Sequence, residues 1–165
     1  MSIRRRAARP LALALAATLV AVGCSDPDGD GAEDEAGGHD LVDPEGRPEV
    51  EPPEGSPPDA LVVDDLVEGD GAPVVEGALV TLHYVGITWG GSEFASSWDR
   101  GQPLSYEHGQ GRWVAGWEAG LEGMRAGGRR RIVVPPELGY GQRGAPGVPA
   151  GETLVFVVDL LDVAD

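Results

Sequence analysis

Apolar residues recur along this chain with two periods, and the change of period divides it into elements. From Arg112 to Met124 the large apolar side chains stand at Val114, Trp117, Leu121 and Met124, at spacings of 3, 4 and 3. That spacing draws one stripe down a short helix. The rest of the stretch is small or acidic, and each interior Gly costs a helix about 1 kcal/mol relative to Ala, so packing must hold it. Elsewhere the period is two, or the run is continuously apolar. Ala60 to Val67 predicts a first strand. Ala78 to Val85 predicts a second, with Val80, Leu82 and Tyr84 on one face and Leu79, Thr81, His83 and Val85 on the other. Leu104 to Tyr106 predicts a short strand. Arg129 to Val134 predicts another, with Arg130, Ile132 and Val134 on one side. The apolar run from Thr153 to Leu161 predicts a long strand at the centre of a sheet. Strands before and after one helix make residues 59–165 an α+β domain, a sheet wrapped around a short helix with Trp117 near its centre.

Composition places the core. All nine aromatic residues lie between Tyr84 and Phe156. Ser25 to Pro58 holds twelve acidic residues against Arg47 alone, with seven Pro and six Gly. Such a segment has too little to bury to offset its chain entropy, so residues 24–58 are expected to be a disordered acidic tether. Asp26 to Gly31 starts like an EF-hand calcium loop, but the twelfth position, which needs a bidentate Glu, is Gly37. No metal site and no cofactor is expected.

Residues 1–23 read as an export signal. Arg4, Arg5, Arg6 and Arg9 precede an apolar run from Leu11 to Val22, too short for the about 20 residues a bilayer span needs. Leu19 to Cys24 resembles a bacterial lipobox, with Ala21 where Leu is usual. That resemblance implies diacylglycerol on Cys24, the only cysteine, and an anchor on the extracytoplasmic side of the cell membrane. The alternative is an ordinary cleaved secretory signal with an incidental cysteine. Cleavage before Cys24 removes four Arg and no acid, taking the formal charge from -16 to -20. So acidic a chain repels nucleic acid and anionic lipid heads, and neither is expected as a partner.

The candidate chemistry is sparse. His39, His83 and His108 lack metal-ligand spacing. Ser97, His108 and Asp99 would make a Ser-His-Asp set, but no nucleophile elbow surrounds the serine. Gly139 to Gly144 matches GxGxxG by letter, but the following Ala145-Pro146-Gly147-Val148-Pro149 cannot open a helix. Arg129, Arg130 and Arg131 split between two strand faces and are expected to be a solvated sheet surface. What remains is loop aromatics around a Trp-bearing helix, the makings of an apolar pocket.

Five segments in order carry a more specific signal: Val80 to Gly86, Phe94 to Arg100, Val114 to Glu118, Leu138 to Gly141, and Thr153 to Phe156. Together they resemble the FKBP-type peptidyl-prolyl cis-trans isomerases from about Leu61 onward. The resemblance implies a twisted antiparallel sheet curled around one short helix. It implies a proline pocket floored by Trp117 and lined by Tyr84, Phe94, Val114, Tyr140 and Phe156, with Trp113 and Leu104 at its edge and Arg100 bracing the loop wall. The Tyr140 hydroxyl would donate to the peptide carbonyl. Proline-containing peptides or unfolded exported proteins would be the substrates, and macrolides possible inhibitors. The family usually has Asp after the pocket Phe, and here Ala95 stands there. Without that carboxylate, Arg100 is expected to swing out or to pair with Asp99. Two further readings stay open: a low-activity Pro-peptide binding module or chaperone on the same fold, and a structural lipoprotein.

Overall fold

The computed structural model describes residues 46–165. The expected signal peptide, Cys24, the calcium-loop-like segment and residues 24–45 of the expected tether lie outside the described residues.

Six strands and one helix make up the domain: β1 (Val62–Val67), β2 (Leu79–Thr88), β3 (Glu93–Ser96), β4 (Leu104–Glu107), α1 (Ala115–Leu121), β5 (Arg129–Val134) and β6 (Leu154–Ala164). All pairings are antiparallel, in the order β1-β5-β6-β2-β3, and β4 also pairs with β2. The strand expected at the centre, β6, lies between β5 and β2. Its ladder with β2 runs from Leu79↔Ala164 to Thr88↔Leu154, with a bulge between Thr81 and Leu82.

The predicted alternation sorts the core. Val80, Leu82, Tyr84, Ile132 and Val134 pack with Trp117, Leu121 and Phe156 on the helix side of the sheet. Val85, Ile87, Val133 and Val155 form a smaller cluster, with Val50, Trp89 and Trp98 against it.

The helix is shorter than its apolar stripe. Val114 is extended at the N-cap, Glu122 ends the helix, and Met124 is buried beyond it. No side chain caps the N-terminus, and a sequence with three glycines has little tendency to extend. Two of those glycines set its position. A Cβ on Gly116 would lie 2.3 Å from Val134 Cγ1, and one on Gly120 would lie 2.5 Å from Ile132 Cγ2. The helix therefore lies on β5 with almost nothing between them.

Two sequence expectations need correction. Arg130 is not solvated: it is 8% exposed and forms a two-pronged pair with Asp65 of β1, at 2.6 and 3.0 Å. Its Nη1 also donates to the carbonyls of Gly120 and Glu122, at 3.0 and 3.2 Å. A cation there answers the bare carbonyls and negative dipole end of α1. Arg129 likewise pairs with fully buried Asp159 across the β5–β6 register, and only Arg131, paired with Asp64, is well exposed.

The second correction concerns residues 46–58 of the tether, which lie against the domain. Pro48 is buried, Val50 packs on the smaller cluster, and the indole of Trp89 donates to the Gly55 carbonyl at 3.2 Å. Arg47 pairs with Glu93 and with Asp99, the latter at 2.5 Å. Composition misses this because a few contacts suffice where Pro has already removed much of the backbone freedom.

The helix contact generates a prediction. Gly116→Ala gains about 1 kcal/mol of helix propensity but overpacks against a stiff Val side chain, at about 1–3 kcal/mol. Urea unfolding of the variant should therefore show a net loss of stability.

Candidate functional site

The site forms where the helix meets the open end of the sheet. Tyr84 points from β2 toward the helix, and Phe156 of β6 lies beside it, since Gly86 and Phe156 are register partners. A Cβ on Gly86 would lie 2.9 Å from both the Phe94 and the Phe156 rings. This glycine therefore gives the two rings room to meet edge to face at 5.6 Å. Tyr140 stands between two single-turn 3-10 helices, Pro136–Leu138 and Gly141–Arg143, and its carbonyl accepts from Gly144 N at 3.2 Å. Those turns occupy the loop where the dinucleotide motif matched by letter.

Trp117 is the hub. It is 2% exposed, and its ring meets Tyr84 at 5.3 Å and Phe156 at 5.0 Å, both edge to face, and Trp113 at 6.0 Å. Its indole N–H donates to the Tyr106 hydroxyl at 2.7 Å. The one polar atom of the indole is thus satisfied within the protein, which leaves an apolar surface for a ligand. Burial holds the Tyr106 phenol well above its ordinary pKa, the Trp117 hydrogen bond works against that shift, and the charge of Glu118 adds to it.

One concavity is lined by Tyr84, Phe94, Ala95, Trp113, Val114, Trp117, Tyr140 and Phe156. The structure thus brings the five aromatic residues singled out from the sequence into one lining, with Val114 and Trp113. Trp113 and Tyr140 are each 37% exposed and form its rim. Leu104 is not in the lining; it faces Leu82 across the β2–β4 ladder and packs against the core. Arg100 is not in it either. Its Nη2 donates to the Tyr84 hydroxyl at 3.1 Å, and its guanidinium carbon lies 5.4 Å from the Tyr84 ring centroid. Arg100 therefore neither swings away nor pairs with Asp99, which Arg47 takes instead.

Nucleophilic chemistry finds no support in the placement of Ser97. It is fully buried, its Oγ accepts from Tyr84 N at 2.8 Å, and its neighbouring imidazole is His83 at 2.9 Å, not His108. This serine fastens the segment after β3 to β2. Two residues of the site escaped the sequence reading. Ala95 was noted only for the carboxylate it lacks, yet it forms wall. Tyr106 read as an ordinary strand residue; its signal was an aromatic with a hydroxyl in a strand leading to the helix.

The comparisons with known proteins agree with this geometry. The profile of the family described as FKBP-type peptidyl-prolyl cis-trans isomerase matches residues 71–161. An FK506-binding protein of Streptomyces anulatus is 47% identical over 120 residues, which cover 71% of this chain and 97% of the relative. A probable FK506-binding protein of Corynebacterium glutamicum is 43% identical over 116 residues, covering 70% and 97%. The crystal structure of AtFKBP13 superposes with a TM-score of 0.61 at 36% identity, covering 66% of this chain and 96% of that one. That of FkpA from Escherichia coli gives 0.59 at 40% identity, over 63% of this chain and 48% of FkpA, so the chain spans about half of that protein. An antiparallel sheet around one short helix, with an aromatic pocket at their junction, is the architecture of a rotamase. The chain belongs to the FKBP-type peptidyl-prolyl cis-trans isomerase family.

Tyr106→Phe tests the support beneath the hub. It strands the buried Trp117 N–H at a cost of about 1–3 kcal/mol. The urea midpoint should fall, and kcat/KM for a proline peptide with it.

Proposed function

We propose that this isomerase turns X-Pro bonds of exported proteins by a non-covalent route, with Tyr84, Phe94, Trp117, Tyr140 and Phe156 as its working surface. The observation that carries the reading is the convergence of these side chains, from separate stretches of chain, on one apolar concavity. The bond faces a barrier of about 18–20 kcal/mol because rotation breaks amide resonance. The planar amide is the more polar state, so a site that strips water from the carbonyl disfavours it relative to the twisted one. The proline ring sits on Trp117, against Phe94 and Phe156, while the preceding carbonyl swings toward the Tyr140 hydroxyl. Holding the ring still confines the motion to the bond that must rotate. Arg100 keeps the Tyr84 hydroxyl occupied at the wall.

FK506-type macrolides fit the same surface, since they too present a large apolar face. The wall they meet at Ala95 lacks a carboxylate, which predicts weaker macrolide binding than an Ala95→Asp variant shows.

Tyr140→Phe should lower kcat/KM about two- to tenfold, the worth of one net hydrogen bond, with little change in stability because the ring remains. The midpoint of any alkaline loss of the wild-type rate should also lie above pH 10. Burial, and next the neighbouring Tyr84, hold the Tyr140 phenol above its ordinary value of 10.0. A raised value keeps the proton on, so the donor is lost only as pH climbs through the folded value. An alkaline loss of rate that persists unchanged in the Tyr140→Phe variant would remove Tyr140 from the mechanism.

The address rests on residues 1–24, whose Arg-rich start, apolar run and Cys24 support export and a lipid anchor. Cys24→Ser should move the protein from the detergent phase to the aqueous phase on phase partitioning. A wild-type protein found wholly in the aqueous phase would end the lipoprotein reading.

A further inference from the structure

Beside the proline pocket lies a wider groove of about 610 Å³, whose lining includes Glu76, His108, Trp113, Glu118 and Glu122. Trp113 belongs to both linings, so a peptide leaving the pocket across this rim enters the groove. A row of rings marks the route: Tyr106 lies 5.3 Å from Trp113 and 6.4 Å from His108.

His108 is 2% exposed and sits between two carboxylates. Its Nε2 is 3.1 Å from Glu122 Oε2, and its Nδ1 is 3.6 Å from Glu118 Oε2. Glu118 Oε2 already accepts from Gly109 N at 2.8 Å. Two polar atoms at the base of the groove have no hydrogen bond, Nδ1 of His108 and Oε1 of Glu118. A carboxylate oxygen accepts, so Oε1 of Glu118 is left for a donor supplied by a ligand. No Lys or Arg lines it; Arg112 precedes Trp113 in sequence but is not in the lining. A metal ion fits poorly, because among the described residues no three His, Cys, Asp or Glu side chains are arranged to hold one.

We propose that this groove is a specificity subsite for a Lys or Arg side chain of the client, placed within a few residues of the proline. The inference rests on the isomerase reading of the neighbouring pocket. A guanidinium or ammonium over the exposed Trp113 ring gains cation–π attraction, and the carboxylates of Glu76 and Glu122 face it from the open side. Glu118 supplies an unpaired carboxylate oxygen at the base, and His108 lies between Glu118 and Glu122. The enzyme thereby favours basic segments of its clients.

The test uses the full chain and peptides that carry Arg, Gln or Glu on either side of the X-Pro pair. At about 0.01 M salt, where charges reach furthest, kcat/KM for the Arg peptide should exceed that for the Glu peptide about five- to tenfold at one position or both, the scale expected of two exposed pairs. The ratio should shrink to below about twofold near 1 M salt. Glu76→Gln with Glu122→Gln should bring it close to unity at low salt and leave the Gln peptide unaffected. Glu107→Gln, an exposed acid outside the lining, should leave the ratio as it was. An unchanged ratio in the double variant, or an equal fall in the Glu107 variant, would overturn the subsite and assign any preference to the overall acidity. Failure of the wild-type protein to turn over the Gln peptide would instead strike the pocket reading, and the subsite with it.

Discussion

At Gly116 and Gly120 the helix has no side chain to hold it away from β5, and Val134 and Ile132 occupy the space a Cβ would need. The position of the site follows from that close approach. Trp117, next to Gly116, is pressed into the concave side of the sheet, deep enough to meet Tyr84 and Phe156 edge to face. At that depth its N–H can no longer reach water, and Tyr106 of β4 accepts it. The same contact places the carbonyl end of the helix over Arg130, which is itself held by Asp65 on the neighbouring strand. A seven-residue helix without a side-chain N-cap is too short to persist by itself. It persists because both its floor and its end are supplied by the sheet.

Much of this was legible in the sequence. Alternation in β2 and β5 assigned the residues of each face as they stand, and the continuous apolar run of β6 marked it as central. Hydrophobic periodicity reports what a segment buries, and these strands bury one face or both. The helix was legible in place but not in length: Val114 and Met124 continue the stripe as buried residues of non-helical backbone, and periodicity cannot tell the difference. The aromatic lining was legible only through the family resemblance, because separate segments bring it together and no local pattern says that they meet. Leu104 was carried along by that resemblance, and its place across from Leu82 puts it in the core.

Charge was the least legible feature. Arg129, Arg130 and Arg131 read as surface because a run of arginine usually is, yet Arg129 and Arg130 are held by carboxylates that strand register sets opposite them, Asp159 and Asp65. Pairing across a sheet depends on register, which a single strand's sequence does not contain. Arg47 shows the same limit: it lies in an acidic segment and finds its partners, Glu93 and Asp99, on either side of the Phe94 wall. Where the resemblance led us to expect a carboxylate at position 95 to hold that wall from inside, here an arginine clasps it from outside.

The place of β6 in the sheet has a consequence for how the molecule comes into being. The strand that joins β5 to β2, and that contributes Phe156, is the last of the described strands in chain order. Until it emerges, β2 has no long partner and the two halves of the sheet have nothing between them. The contacts that join the two halves span the whole domain, the kind that form slowly. A chain of this catalyst therefore cannot act on its own peptide bonds while it folds, since its pocket is incomplete until β6 brings Phe156 into place.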